Sequence, residues 1–533
     1  MHTLTLQGVD CVPLQVHADL RNSNRTVIEF AGNVDSGLQS QLRAKLKTLL
    51  RPERMVTSGV LYPACDQREM VISFEPSNVP VGAEVEAAVF GAALGAYDVV
   101  QSRGDADNLY VVGEVGLDGR MLPLQNALAY ALRAHKDGRG LALPADSAAE
   151  TSALGRPNYV LNNWADLQWL VGVAEAFVRT PVAPGYTWVP GRDRTQEFLR
   201  QPDAPKYAEV QADPSFDFRY IKGQAAAKRA AEIAVAGGHN MLLMGPPGEG
   251  KSLLTKSLPS ILPPLSGLSA IEVTHVHRMK GLLSPDDGLQ STPPFVQIDR
   301  NTTLPALLGG GQTRVQPGAL TLANHGVLYL DELHQANSAM IEALRQPLED
   351  GYVVVQRARW SAKLPARFIF VSSSNPCRCG WLHHPTTPCR CTPSELKRYQ
   401  AKLSGPLLDR ISVVVNIWPL SHEERVAPPA CESSAEVRER VVRARARMAA
   451  RGWDWNALIP PDALRDAVQF TAEGQKKEQE VSTHLGLSTR AADHLLRVAR
   501  TVADLRGRDS TEAVDVEVAA SYCNRDTLFN ERT

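Results

Sequence analysis

Between Phe216 and Leu420 short apolar runs alternate with helical patterns, as expected for strands buried on both faces of a parallel α/β sheet. Three of these runs predict strands: Asn240–Met244 (NMLLM), Val327–Leu330 (VLYL) and Phe368–Val371 (FIFV). Beyond Ser421 the strand pattern stops. Val437–Arg451 and Thr489–Leu505 carry helical periodicity, so residues 421–533 should be all-helical. Residues 1–180 mix both patterns. Ala83–Leu94, rich in small apolar residues, predicts a buried helix, and Asn108–Gly116 predicts a strand ending in a turn. Six prolines (Pro181, Pro184, Pro190, Pro202, Pro205 and Pro214) predict a linker over 181–215, because proline fixes φ and withholds a backbone donor. No repeat of 20–50 residues is visible.

The 533 residues suit about three domains, with 44% hydrophobic and 22% charged residues, as in globular proteins. Lys plus Arg (57) nearly balances Asp plus Glu (58), which excludes a uniformly basic coat protein but allows a local basic surface. The charge-free stretch Val315–Leu330 is shorter than the ~18–20 apolar residues of a membrane span. Met1–Thr5 shows no basic region leading into an apolar stretch, so no secretory signal, no membrane partner and a cytoplasmic location are expected.

Candidate chemistry begins after the first strand. Gly245-Pro246-Pro247-Gly248-Glu249-Gly250-Lys251-Ser252 fits G-x-x-x-x-G-K-[ST] between a strand and a helix. Its glycines let backbone N–H groups curl around phosphates, Lys251 can reach the β/γ-phosphates, and Ser252 can ligate Mg²⁺. The strand Val327–Leu330 delivers Asp331 and Glu332, the first suited to holding Mg²⁺ and the second to activating water. The third strand leads to Asn375, a candidate for a second hydrogen bond to the lytic water or γ-phosphate. ATP and Mg²⁺ are therefore the expected cofactors.

Eight cysteines in so long a chain do not make a disulfide scaffold. Cys377, Cys379, Cys389 and Cys391 nevertheless cluster as two CxC turns. They suit one tetrahedral Zn²⁺, with His383 and His384 as alternative ligands; a metal-free loop and a redox sensor are the other readings. The arginines between Arg438 and Arg451 read first as a solvated lid helix, and second as a DNA or subunit contact.

Further motifs narrow the picture. They include Gly237-Gly-His-Asn240, Gly309-Gly-Gly311, Pro317-Gly318, Asn324–Leu333, Leu344–Gly351, Asn375-Pro-Cys-Arg-Cys-Gly380 and Leu403–Arg410. Together they resemble the magnesium-chelatase-like AAA+ family, in its YifB/ComM branch, over most of residues 216–533. Val112–Arg120 with Leu122-Pro123 resembles the Lon-protease-like domain of that branch. Lon proteases use a Ser–Lys pair, but the matching serine loop reads Val79–Glu86 without serine, and Gln125–Leu128 stands where lysine should be.

The resemblance implies an α/β fold. Residues 1–180 would be a Lon-like (ribosomal protein S5 domain 2-like) α/β domain lacking the dyad. Residues 216–420 would be an AAA+ P-loop core with a parallel sheet, and 421–533 a helical lid. It makes Arg410 an arginine finger inserted into a neighbour's site, Arg490 a sensor-2 arginine, and the assembly a homo-oligomeric ring, most often a hexamer. It also implies an insertion around Gly281–Thr321 and a hairpin over Gly351–Lys363. That hairpin carries Arg357, Arg359, Trp360 and Lys363, a set suited to phosphate contact and base stacking. The expected function is then an ATP-driven motor on DNA, a helicase for branch migration in recombination and transformation. The alternative is a chelatase-like or chaperone-like ATPase remodelling a protein client.

Overall fold

The computed structural model describes residues 1–7, 10–23, 25–49, 68–96, 108–124, 126–151, 158–164, 166–167, 214–284, 287–311, 316–356, 361–403, 407–426 and 432–524. The chain divides into two compact units, Met1–Ala208 with Ser266–Leu289, and Glu209–Leu265 with Gln290–Thr533. The proline-rich stretch lies outside the described residues apart from Pro214, which opens a short 3-10 turn.

In the first unit a four-stranded sheet runs in the order His2–Gln7, Asp10–Asn22, Arg68–Glu75, Val27–Ala31. The first two pairings are antiparallel and the last is parallel. A second, parallel sheet joins Leu109–Val111, Gly140–Pro144 and Asn158–Leu161. The expected apolar helix forms over Glu86–Gly95, after a 3-10 turn at Ala83–Val85, and buries nearly every side chain. At its first residue sits the fully buried carboxylate of Glu86. Lys45 donates to both of its oxygens at 2.9 and 2.7 Å, and the Val115 N–H donates at 2.9 Å. Glu114 lies 3.6 Å from the same ammonium. Burial pushes the Glu86 carboxyl above its ordinary range, against Lys45 and Val115, which favour the anion. Every polar atom of this pair has a partner, which marks a structural ion pair.

The second unit is built on a five-stranded parallel sheet ordered Phe295–Ile298, Val327–Leu330, Ile369–Ser374, Met241–Met244, Val413–Asn416. The three expected strands are all present, and the α/β core is as the sequence pattern requires. Two differences carry information. The edge strand Phe295–Ile298 falls within Gly281–Thr321, so part of the stretch read as an insertion belongs to the core sheet. The strand expected to end at Val371 continues through Ser372, Ser373 and Ser374, all buried. Serines fit this strand because partners await them: Ser372 donates to the Leu330 carbonyl at 2.8 Å, and Ser373 donates to Asp331.

Beyond Ser421 the described residues hold helices and no strand. Ser434–Ala450 starts at a capping box made by Ser433 and Glu436. Its arginines are mostly committed within the unit. Arg440 pairs with Glu232 and Glu432, Arg447 with Asp509, and Arg451 with Asp504. Arg445 donates to the Val235 carbonyl beneath the Trp455 ring. The helix is thus held by packing within the unit, and Arg445 is tucked against Val235 rather than solvated as expected. No helix among the described residues is long and apolar enough to cross a membrane.

Candidate active site

The strand Met241–Met244 ends where the chain turns through Gly245–Gly250 into the helix Lys251–Ile261. Gly245 is squeezed, since a Cβ there would lie 2.5 Å from the Ile417 carbonyl oxygen. Gly248 and Gly250 adopt φ of +84° and +87°, a left-handed conformation that side chains disfavour, and no atom stands within 4 Å of where a Cβ would point. The helix has no side-chain cap, so its first N–H groups face an open cradle. Ser252 stands exposed at that end.

Lys251 is mostly buried. Its ammonium donates to the carbonyls of Gly245 (2.6 Å) and Pro246 (2.7 Å) and to Asn375 Oδ1 (3.2 Å). Burial pushes this ammonium down to about 8, while Asp331, Glu249 and Glu332 pull in the other direction. A buried cation resting on neutral oxygens is matched by an incoming phosphate anion. The contrast is Lys45, already closed off by two carboxylates.

Asp331 and Glu332 follow the neighbouring strand. Asp331 Oδ1 accepts from the Tyr329 hydroxyl at 3.0 Å, from the Glu332 N–H at 3.0 Å and from Ser373. This clamp fixes one oxygen of the carboxylate. Glu332 has φ of 53°, a left-handed conformation worth ~1–3 kcal/mol of strain in a non-glycine residue. Such strain at a strand end is typical of a side chain aimed for chemistry. Glu249 sits within the turn and faces Arg425 at 3.7 Å.

Asn375 begins directly after Ser374, and its carbonyl accepts from the Tyr399 hydroxyl at 2.8 Å. The His334 ring lies tilted against the Tyr399 ring at 4.7 Å and meets Ser374 Oγ at 3.1 Å. Lys251, Asn375, Asp331 and Glu332 thus gather at the carboxyl end of the sheet, where open α/β sheets bind ligands. Ser373, Ser374, His334 and Tyr399 carry no motif that would single them out in the sequence, and Tyr329 lies inside the Asn324–Leu333 motif with nothing to mark its hydroxyl. The triple serine is the one visible signal.

Arg410 and Arg490 are not brought to this end. The Arg410 carbonyl accepts from Asn240 Nδ2 at 2.8 Å, and Asn240 precedes the strand that leads to the phosphate loop. Arg410 therefore lies at the amino end of the sheet, about one strand length (~13 Å for four residues) away. Its guanidinium pairs with Glu349, the same carboxylate that Arg490 reaches at 3.0 Å. The hairpin expected at Gly351–Lys363 forms from Tyr352–Gln356 and Ser361–Pro365. Lys363 is exposed, with its ammonium 3.6 Å from the centre of the Tyr352 ring. Arg357, Arg359 and Trp360 lie outside the described residues.

The four clustered cysteines come together. Their sulfurs lie within 4.8 Å of one another, at 3.3 Å for Cys377–Cys379, 3.5 Å for Cys379–Cys389 and 3.7 Å for Cys377–Cys389. A disulfide needs about 2.05 Å, whereas Zn–S bonds of about 2.3 Å set tetrahedral S···S edges near 3.8 Å. Burial pushes the Cys377 thiol up to about 12. Burial also raises Cys379, but hydrogen bonds from the Arg390 and Trp381 backbone and from Cys377 and Cys389 bring it down to about 6. His384 is not part of the cluster: its ring stands edge-on to Trp381 and accepts from the Thr387 N–H.

Comparison with known proteins agrees with this geometry. The family described as "Magnesium chelatase, subunit ChlI" matches residues 217–425, and its C-terminal counterpart matches residues 431–523. The chain belongs to the magnesium-chelatase-like AAA+ family. YifB of Escherichia coli is 30% identical over 532 residues, covering 99% of this chain and 97% of that one. Competence protein ComM of Haemophilus influenzae is 31% identical over 489 residues, covering 89% and 90%. Magnesium-chelatase subunit ChlI-2 of Arabidopsis thaliana is 24% identical over 354 residues, covering 60% and 76%. This AAA+ family is of the oligomeric type and uses ATP and Mg²⁺, which the cradle, Lys251, Ser252 and Asp331 fit. Mg²⁺ held there would supply positive charge to neutralise the phosphates.

Proposed function

We propose that this chain is an ATP-hydrolysing motor that forms a ring, six subunits in the usual AAA+ arrangement, and acts on DNA in the cytoplasm. The observation that carries the ring reading is the separation of Arg410 from Lys251 across the sheet. An arginine that cannot serve its own phosphate loop is available to a neighbour's. In this reading the Gly245–Ser252 turn holds the phosphates, with Lys251 as the phosphate-facing cation. Ser252 and Asp331 are the Mg²⁺ ligands, Glu332 takes the proton of the attacking water, and Asn375 orients that water. Arg410 and Arg490 reach from the adjoining subunit and stabilise charge on the transferring phosphoryl group.

DNA is the favoured substrate, with branch migration or strand separation as the work done. Support comes from the hairpin composition, the exposed Lys363, and a relative named for competence. Cys377, Cys379, Cys389 and Cys391 hold one structural Zn²⁺. The N-terminal unit is a Lon-like fold without protease chemistry, with Glu86 and Lys45 spent on packing. Similarity to a magnesium-chelatase subunit favours the second reading, remodelling of a protein client.

ATP hydrolysis measured without DNA and with single-stranded, duplex and forked DNA tests the choice. Stimulation by at least one form is expected, and it should disappear when Arg357→Ala and Arg359→Ala are combined. A rate indifferent to all three forms moves the protein-remodelling reading ahead.

A further inference from the structure

The cysteine cluster is joined to the catalytic end of the sheet at three points. Cys377 stands two residues after Asn375, so the first thiolate is covalently close to the side chain that contacts Lys251. Gly380, directly after the first CxC turn, packs on the phosphate loop: a Cβ there would lie 2.9 Å from Pro247 Cδ and 4.0 Å from Asn375 Cγ. After Cys391 the chain enters the helix Pro393–Leu403, whose Tyr399 returns to donate to the Asn375 carbonyl across 24 residues.

The phosphate loop is held by a strand on one side and a helix on the other. Asn375 has regular structure on one side only. On its other side runs an irregular loop whose shape depends on four sulfurs converging, together with Tyr399. With no metal joining them, the sulfurs meet only in weak S–H···S contacts at 3.3–3.7 Å, and the loop loses the cross-link that four metal–sulfur bonds would supply. Backbone N–H groups of Leu382, Trp381 and Arg390 already donate to Cys377 and Cys379, the outer hydrogen bonds that orient thiolate ligands.

We infer that a Zn²⁺ ion held by Cys377, Cys379, Cys389 and Cys391 positions Asn375, so that metal loading sets the rate of ATP cleavage while ATP binding persists without it. This rests on reading the four thiolates as a metal site. The cysteines are then positioning residues, and Asn375 remains the group that meets the reacting atoms.

The test uses the full chain. Zinc content per chain is measured first, together with the absorption of the Co²⁺-loaded protein, where thiolate-to-metal bands report a sulfur-rich tetrahedral site. Wild type should carry one metal per chain. Cys389→Ser with Cys391→Ser should carry none, bind an ATP analogue as wild type does, and lose ~10–100-fold in kcat with little change in KM. Asn375→Ala should show the same split, and adding it to the cysteine pair should cost nothing further. Tyr399→Phe keeps all four thiols and guards against misfolding of the cysteine variant: it should retain full metal, give wild-type ATP affinity and lower kcat.

Wild type that takes up neither Zn²⁺ nor Co²⁺ under reducing conditions overturns the metal reading itself. Metal-free cysteine variant with wild-type kcat leaves the metal site standing and overturns the positioning role. Full kcat in Tyr399→Phe also counts against positioning, and decides the matter if the cysteine variant does not fold.

Discussion

The two ends of the core sheet carry opposite imbalances of charge. At the carboxyl end Lys251 is influenced by three carboxylates, Asp331, Glu249 and Glu332, of which only Glu249 has a second cation, Arg425, beside it. At the amino end two guanidiniums, Arg410 and Arg490, share one carboxylate, Glu349. In the N-terminal unit, by contrast, Lys45 is closed off within its own fold by Glu86 and Glu114. Imbalance at both ends, of opposite sign, suits a head-to-tail assembly in which each subunit's arginines face the next subunit's phosphate loop. Head-to-tail contacts that close on themselves make rings.

The largest expected effect comes from removing the delivered cation. If Arg410 is the arginine finger proposed above, Arg410→Ala should lower kcat by ~10³–10⁵ while leaving nucleotide affinity close to wild type, because such a residue acts on transition-state charge. Steady-state hydrolysis together with binding of a labelled ATP analogue checks this. Loss of affinity matching the loss of rate would show Arg410 to be a ground-state ligand.

Glu332→Gln acts at the receiving end. The amide cannot accept the proton of the attacking water, so kcat should fall by ~10²–10⁴ with ATP retained. Filter-binding of ATP with product analysis separates retention from cleavage. Wild-type turnover would remove Glu332 from the mechanism.

A smaller effect comes from pH. Free Lys251 titrates near 8, below its ordinary 10.5, because burial disfavours the cation. A bound phosphate anion restores the cation, so binding takes up a proton. Affinity should be full below pH 8 and fall as pH rises through 8, by up to tenfold per unit. Stability without nucleotide runs the other way: between about 8 and 10.5 the unfolded chain holds the proton that the folded chain has lost, so stability rises with pH. Calorimetric titrations in buffers of different ionisation enthalpy measure the uptake. Zero uptake near pH 8 would mean that the lysine is not what meets the phosphates.

The smallest effect belongs to Glu349. Its carboxylate is half exposed, so its ion pairs are solvent-screened and worth ~0–1 kcal/mol. Glu349→Gln should leave thermal stability within that margin and raise hydrolysis at low protein concentration, because both arginines are released toward a neighbour. A marked loss of stability would make the cluster a structural pin.

The receiving end is largely legible in the sequence. Spacing together with its strand–turn–helix context points to Lys251, Ser252, Asp331 and Glu332, because phosphate chemistry calls for glycines at fixed positions in that setting. Its supports are not legible. Tyr329 looks like one more apolar residue of a buried strand, and nothing in the chain says that its hydroxyl reaches Asp331. Tyr399 lies 24 residues from Asn375, and Lys45 lies 41 from Glu86; such pairs exist only once the chain is folded. The pattern ends the Asn375 strand three residues short because serines seldom extend a buried strand unless the fold supplies partners. Resemblance points to Arg410 and Arg490, but not to their meeting at Glu349, since the three residues come from separate elements.

The central claim is that one subunit's Lys251 end and another's Arg410 end make one active site. Subunits carrying Lys251→Ala and subunits carrying Arg410→Ala should each be nearly inactive alone. Mixed in varying ratio with ATP, they should regain hydrolysis, highest near equal amounts, because some interfaces then pair an intact Lys251 with an intact Arg410. Hydrolysis that stays at the background of the separate variants at every ratio, in mixtures shown by light scattering to assemble, would contradict a site shared between subunits.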